Sequence, residues 1–346
     1  MVQARENYPA LDGLRGICSI CIMMMHMRAA RDYSISGFFW DNVVGTWEIV
    51  VVLFLMLSSF GMCVGYYEKF KNKKIDIELF YKRRYSKLLP FFSLILLLDV
   101  IVSKFDYEHI IEALMKSTLL FGLLPNNTLE TVGVSWTIGM IFAFYLLFPF
   151  FVFAMGNKKK GWLTLLIAVF IHYACFSYFY SDKFVDVSKF NYNTYFIGYA
   201  IIFVAGGLIY LYREEIKNYG SRHPKVLLMV CIVLTILYYI SSDTAFGVDI
   251  RIYKRMVLFA AVISYGISIE KSILTSKTMR YLGSISMEIY LAHMVMYRFL
   301  EKIGLIGKIG DGFLSYMVVV SLVMIGLLVM ITIYQYGAKL IKKYIT

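Results

Sequence analysis

Along this chain apolar residues come in long unbroken runs separated by short clusters of charge, with neither the alternation of a half-buried strand nor the one-sided stripe of a surface helix. A helix needs roughly 20 apolar residues to cross the hydrocarbon core of a membrane. On that ruler the pattern predicts an all-α polytopic protein with ten transmembrane helices: 11 to 30, 43 to 67, 88 to 103, 132 to 155, 162 to 180, 194 to 212, 226 to 241, 254 to 270, 281 to 300 and 313 to 337. The stretch 108 to 124 is apolar but interrupted by Glu112 and Lys116, and reads as an external interfacial or re-entrant helix. No internal repeat or low-complexity tract is visible, so one membrane-embedded domain over 1 to 346, with no appended soluble domain, is expected.

Composition supports the pattern. The 346 residues are 60% hydrophobic and only 17% charged, with 28 Tyr, 27 Phe and 19 Met, at a mean hydropathy of +0.67. Such a balance excludes an ordinary soluble enzyme. The net charge of +12 would suggest nucleic acid as a partner in a soluble protein. Here the basic residues sit in short loops and report orientation instead, and no nucleic acid is expected. One set of connections holds Arg5, Lys69 to Lys74, Lys82 to Lys87, Lys158 to Lys160, Arg213, Arg222, Arg280 and the C-terminal lysines. The opposite set holds only scattered cations such as Arg31, Lys104, Lys189, Arg251 and Lys308. By the positive-inside rule both termini are cytoplasmic. Asp12 and Arg15 in the first run, with no small-residue cleavage site after it, argue against a removable signal peptide. The five cysteines, an odd number in or beside apolar runs, form no closed disulfide framework.

Ionisable residues inside spans are costly and are the default functional candidates. In the first helix Arg15 and His26 are three turns plus a small remainder apart, so they share a face, separated by about 16 Å along the axis. That is the span of an extended pantetheine arm. Arg15 snorkelling to headgroups while His26 bonds a carbonyl fits the spacing equally well. The cluster Lys82, Arg83, Arg84 and Lys87 at the mouth of the third helix suits phosphate, though lipid anchoring also explains it. His293 and Glu288 lie in the ninth helix, with His293 at a depth similar to that of His26, so the two histidines flank one reaction centre or belong to a polar network between helices. Glu48 is a carboxylate partner for His26 by depth alone. Cys18 and Cys21 have C-x-x-C spacing without a second ligand pair, and no metal site is expected. His109, His172 and His223 read as loop, interfacial or packing residues, and Trp40, Trp47 and Trp136 as belt anchors.

Taken together, Tyr8-Pro9-Ala10-Leu11-Asp12-Gly13-Leu14-Arg15-Gly16 with His26 resembles the first-helix signature of the acyltransferase family 3 membrane proteins, the O-antigen and exopolysaccharide O-acetyltransferase group. Leu57-Ser58-Ser59-Phe60, the basic run from Phe80 to Pro90, Ser135-Trp136 with Phe144-Tyr145-Leu146-Leu147-Phe148-Pro149, and Ser286 with Ile289-Tyr290-Leu291-Ala292-His293 agree with that family in order. Three positions depart from it: Ser59 replaces a usual Gly, Lys87 replaces the second Arg of the basic run, and Ile141 with Phe142 stand where acidic residues usually follow the Trp.

The resemblance implies transfer of an acetyl or other short acyl group from acyl-CoA, most simply acetyl-CoA, to a hydroxyl of a cell-surface polysaccharide or its lipid-linked precursor. It implies a multi-pass protein in the bacterial cytoplasmic membrane. In that reading Arg15, Arg83, Arg84 and Lys87 hold the phosphates of CoA. His26 is the general base, and His293 orients the acceptor or stabilises the oxyanion. Asp12, Glu48, Trp136, Tyr145, Glu288 and Tyr290 support the acceptor or the site. A transporter or flippase of lipid-linked saccharides is the rival class, since buried charges also suit a translocation path.

Overall fold

A computed structural model describes residues 7–124, 129–186, 188, 191, 195–245 and 248–345. Arg5 and Lys189, used above for orientation, and the predicted start of the sixth helix at 194 lie outside the described residues. The chain is an all-α multi-pass membrane protein. In order it forms α1 (Pro9–Ala30), α2 (Phe39–Lys71), α3 (Ile77–Val102), α4 (Tyr107–Ser117), α5 (Trp136–Ala154) and α6 (Lys158–Phe179). Then come α7 (Phe196–Leu211), α8 (Arg213–Arg222), α9 (Pro224–Ile240), α10 (Arg251–Ser268), α11 (Lys277–Ser284), α12 (Ser286–Lys302) and α13 (Phe313–Ile345). The pair Thr244–Ala245 and Val248–Asp249 makes a two-residue antiparallel ribbon between α9 and α10.

Among the described residues each predicted span overlaps helix, the stretch 281 to 300 falling on two. Six helical stretches among the described residues are long and apolar enough to cross a membrane by themselves, or seven if the bent α7–α8 pair is one span. The remaining predicted spans are shorter or more polar, as α12 is with Glu288, His293 and Arg298 on one rod.

Several boundaries differ from expectation. Helix α3 begins at Ile77 rather than at 88, because Asp76 caps it by accepting the Leu79 N–H at 3.0 Å. Hydropathy marks where hydrocarbon begins, and the helix continues past it, carrying the whole basic cluster on a rigid rod. The predicted helix 281 to 300 breaks at Ile285 into α11 and α12. The sixth span turns by 67° after Leu211, where Arg213, Glu214 and Glu215 take α8 out of apolar surroundings.

The first helix is central, packing against α2, α10, α11, α12 and α13. Its closest approach explains the glycines of its opening motif. A Cβ at Gly13 would lie 2.1 Å from the Leu274 carbonyl oxygen, and one at Gly283 would lie 2.0 Å from that of Asp12. Only glycine lets the two backbones meet, so α1 is held in register against α11 at the end bearing Arg15. Helix α4 turns Tyr107, Ile111 and Leu114 outward and clamps the turn before α5 from its other face. Glu112 accepts the Thr131 N–H at 2.8 Å, and the buried Lys116 ammonium donates to the Thr131 carbonyl. It ends at Ser117 rather than at 124, and a short 3₁₀ turn, Phe121–Leu123, follows.

Candidate functional site

Two histidines separated by 267 positions meet inside the bundle. His26 Nδ1 and His293 Nε2 are 2.8 Å apart, and their rings stack with centroids 4.9 Å apart at 18°. His293 has no exposed surface, whereas His26 is half-buried. The proton positions follow from the neighbours. His293 Nδ1 lies 2.7 Å from the Tyr290 carbonyl oxygen and 3.3 Å from that of Ile289. A carbonyl only accepts, so Nδ1 carries the proton and donates it. With both rings neutral, His293 Nε2 is then an acceptor and takes the hydrogen bond from His26 Nδ1–H. The lone pair left over is on His26 Nε2, the ring nitrogen not engaged by His293. His293 has both nitrogens occupied and retains no N–H for an oxyanion.

The Tyr290 hydroxyl donates to the Val134 carbonyl at 2.8 Å, tying α12 to the turn that leads into α5. That turn is fixed from behind by Asp99, which is fully buried. One carboxylate oxygen accepts the Val132 N–H at 2.6 Å, and the other pairs with Arg298 of α12. Val132 sits at φ +46°, a left-handed conformation a β-branched residue adopts only when held there. Sequence reasoning missed Asp99 and Arg298. The signal was present, since each is an ionisable residue inside a predicted span.

Toward the start of α1 lies a second cluster. The Arg15 guanidinium donates to the Leu57 carbonyl at 2.9 Å and stands 3.5 Å from Asp12. Gly61 makes room for it, since a Cβ there would come within 2.6 Å of the guanidinium. Arg84 donates to the Tyr66 hydroxyl at 2.7 Å and lies over the rings of Tyr66 and Tyr145, at 4.7 and 5.7 Å. Its Nε is buried with no hydrogen-bond partner. Tyr145 feels both Arg84 and Arg15, so guanidinium groups from α1 and α3 converge on one ring of α5. On the helix Arg84 and Lys87 share a face, with Arg84 half-buried and Lys87 exposed, while Arg83 is exposed on another. Lys87 and Glu288 are in electrostatic reach of each other.

Glu48 pairs with Arg255 at 3.7 Å, and the hydrogen-bonded neighbour of His26 is a histidine instead. Trp40 and Trp136 were expected to face lipid. Trp40 is buried against Tyr33 and Tyr316, and Trp136 packs on Tyr199 with ring centroids 5.7 Å apart. Trp40 fills a gap between helices, where contact with two aromatic neighbours outweighs the interfacial preference, while Trp136 stays half-buried. His172 is a packing residue, its Nδ1 donating to the Gly198 carbonyl at 3.0 Å. Ser59 donates to the Phe203 carbonyl at 2.6 Å opposite Gly206, so a hydroxyl in place of the usual glycine is satisfied. Ile141 and Phe142 are buried in the core, with Phe142 against Tyr85. Among the described residues no three His, Cys, Asp or Glu side chains gather as a metal site.

Comparison with known proteins adds three findings. A family model described as an acyltransferase domain, that of acyltransferase family 3, matches residues 8–335. The peptidoglycan O-acetyltransferase OatA of Listeria monocytogenes is 23% identical over 321 residues, covering 84% of this chain and 49% of that protein. The chain thus spans about half the length of this curated relative. No solved structure matches.

Proposed function

Because the chain belongs to acyltransferase family 3, we propose that it moves an acetyl group from acetyl-CoA to a hydroxyl of a cell-surface polysaccharide or its lipid-linked precursor. The observation that carries this reading is the histidine pair and its proton order. A half-buried imidazole with an unengaged Nε2, held by a second imidazole behind it, is built to accept a proton. In the proposed step His26 Nε2 takes the proton of the acceptor hydroxyl as its oxygen attacks the thioester carbonyl. The tetrahedral intermediate then expels the thiolate, and His26 returns the proton to sulfur. His293 is a positioning residue, fixing the tautomer and plane of His26 through its own bond to Tyr290.

The donor's phosphates would lie at the end marked by Arg15, Arg84 and Lys87. Guanidinium forks match phosphate oxygens, and the buried Arg84 Nε without a partner supports an anion there. From Arg15 to His26 is about 16 Å along α1, the reach of the pantetheine arm. Arg83 points elsewhere and serves lipid or solution phosphate. With the positive-inside assignment, donor phosphates enter from the cytoplasm, and the acyl group is handed to an acceptor presented at the opposite face. The whole of residues 1 to 346 then acts as one acyltransferase domain. The relative's acceptor, peptidoglycan, makes a glycan of the cell wall the first acceptor to try.

The test is transfer of radiolabelled acetyl from acetyl-CoA to glycan in membranes carrying the wild type or His26→Ala. Label with the wild type alone is expected, the substitution costing about 10²- to 10⁴-fold in rate. Full transfer by a well-inserted His26→Ala protein removes the base assignment. Saccharide uptake without acyl chemistry would favour a transporter.

A further inference from the structure

At the end of the bundle remote from Arg84, side chains from six elements gather between the histidine pair and the rim. Tyr290 packs near His293, at 6.1 Å between ring centroids, and lies in electrostatic reach of Tyr199 of α7. Tyr199 packs on Trp136 at the start of α5 and lies in electrostatic reach of Glu48 and Arg255. Arg255 of α10 stands 3.7 Å from Glu48 of α2, and its Nε donates to the Tyr238 hydroxyl of α9 at 3.3 Å. The Glu48 side chain retains 49% of its exposure and that of Arg255 18%. This is the chemistry of a sugar site: ring faces for the C–H surface of a pyranose, and a carboxylate and guanidinium for its hydroxyls.

The charges around it restrict which sugar. Four cations described at this end each have a carboxylate beside them. Arg28 pairs with Asp41 at 2.9 Å, Arg251 with Asp249 at 2.6 Å, Lys254 with Asp243 at 2.8 Å, and Arg255 with Glu48. A polyanionic chain would have to displace those carboxylates from their partners. An uncharged ring need only exchange water for the same donors and acceptors.

We infer that Trp136, Tyr199, Glu48, Arg255 and Tyr238 form the acceptor subsite and that it takes an uncharged pyranose with free hydroxyls. The inference rests on the acyl-transfer reading for what is done to the sugar, and on this geometry for its binding. The test uses the full-length protein in nanodiscs and two probes, neutral tetra-N-acetylchitotetraose and acidic tetragalacturonate, with binding followed by calorimetry. The wild type should bind the neutral probe saturably and at least about tenfold more tightly than the acidic one. Glu48→Gln and Arg255→Gln should each weaken the neutral probe about tenfold, the loss of a charge-assisted hydrogen bond. The KM for acetyl-CoA should stay unchanged in both. Trp136→Phe should retain binding that Trp136→Ala loses, which separates a ring wall from a folding defect. Equal or tighter binding of tetragalacturonate overturns the inference, as does failure to bind either probe or an unchanged affinity in both Gln variants. A wild type that binds the neutral probe but transfers no acetyl sinks the proposed reaction and leaves the subsite standing.

Discussion

The two ends of α1 treat positive charge in opposite ways. Near its start, Arg84 is surrounded by neutral groups, the Tyr66 hydroxyl, the Met62 sulfur and the Tyr145 ring. Arg15 bonds a backbone carbonyl and stands 3.5 Å from Asp12, so the contrast rests on Arg84. Near its end, Arg28 and Arg31 each have an aspartate beside them, Asp41 and Asp311, and Arg255 beyond them has Glu48. Burying a guanidinium among neutral dipoles leaves its charge for something else to neutralise, whereas pairing it removes that demand. On the proposed reaction, that difference suits an anionic ligand beside Arg84 and an uncharged one at the other end. Between them, the histidine pair belongs to neither charge regime.

The comparison breaks most completely if the chemistry does not lie between the two ends. The largest expected effect is therefore the loss of transfer in His26→Ala already described, with membrane insertion intact. Next is Asp99→Ala. Removing a buried carboxylate that holds both Arg298 and the Val132 N–H should cost about 3 kcal/mol of stability, read as a lower unfolding temperature in detergent. Unchanged stability would mean that α4 and the Tyr290 hydroxyl suffice to hold the turn before α5.

Arg84→Gln sharpens the contrast between ends. It should raise the KM for acetyl-CoA about tenfold while affinity for a neutral oligosaccharide is retained. An effect on the oligosaccharide instead would reverse the two assignments. The smallest effect is expected for Tyr290→Phe, which takes the donor from the Val134 carbonyl and costs about 1 kcal/mol. Its kcat should fall a few-fold with the acetyl-CoA KM unchanged. A change in that KM alone would show that α12 serves the donor end.

Much of this architecture is legible along the chain, because a membrane leaves few options. Every backbone polar group must be satisfied within its own segment, so long apolar runs become helices wherever they occur. Ionisable residues inside those runs point to the site for the same reason, and His26, His293 and Arg15 are found in this way, whereas Arg84 is found in the basic cluster before the third span. Asp99, Arg255 and Arg298 carry the same signal. They were passed over because no motif surrounds them and because each matters only through a partner far away in sequence.

Partnership is what the tertiary structure decided. Depth along a helix is one coordinate, and it gave Glu48 and His293 equal standing as neighbours of His26. The rotation of α12 against α1 settles it in favour of the histidine, and α10 brings Arg255 to Glu48. Likewise, the order of residues 82 to 87 shows a basic run, but only the early start of α3 under the Asp76 cap divides it into an inward Arg84 and an exposed Arg83. Hydropathy and helical period are local properties that the sequence determines by itself. Which faces meet depends on how closely backbones can pack, as at Gly13 and Gly283, and that is a property of the whole bundle.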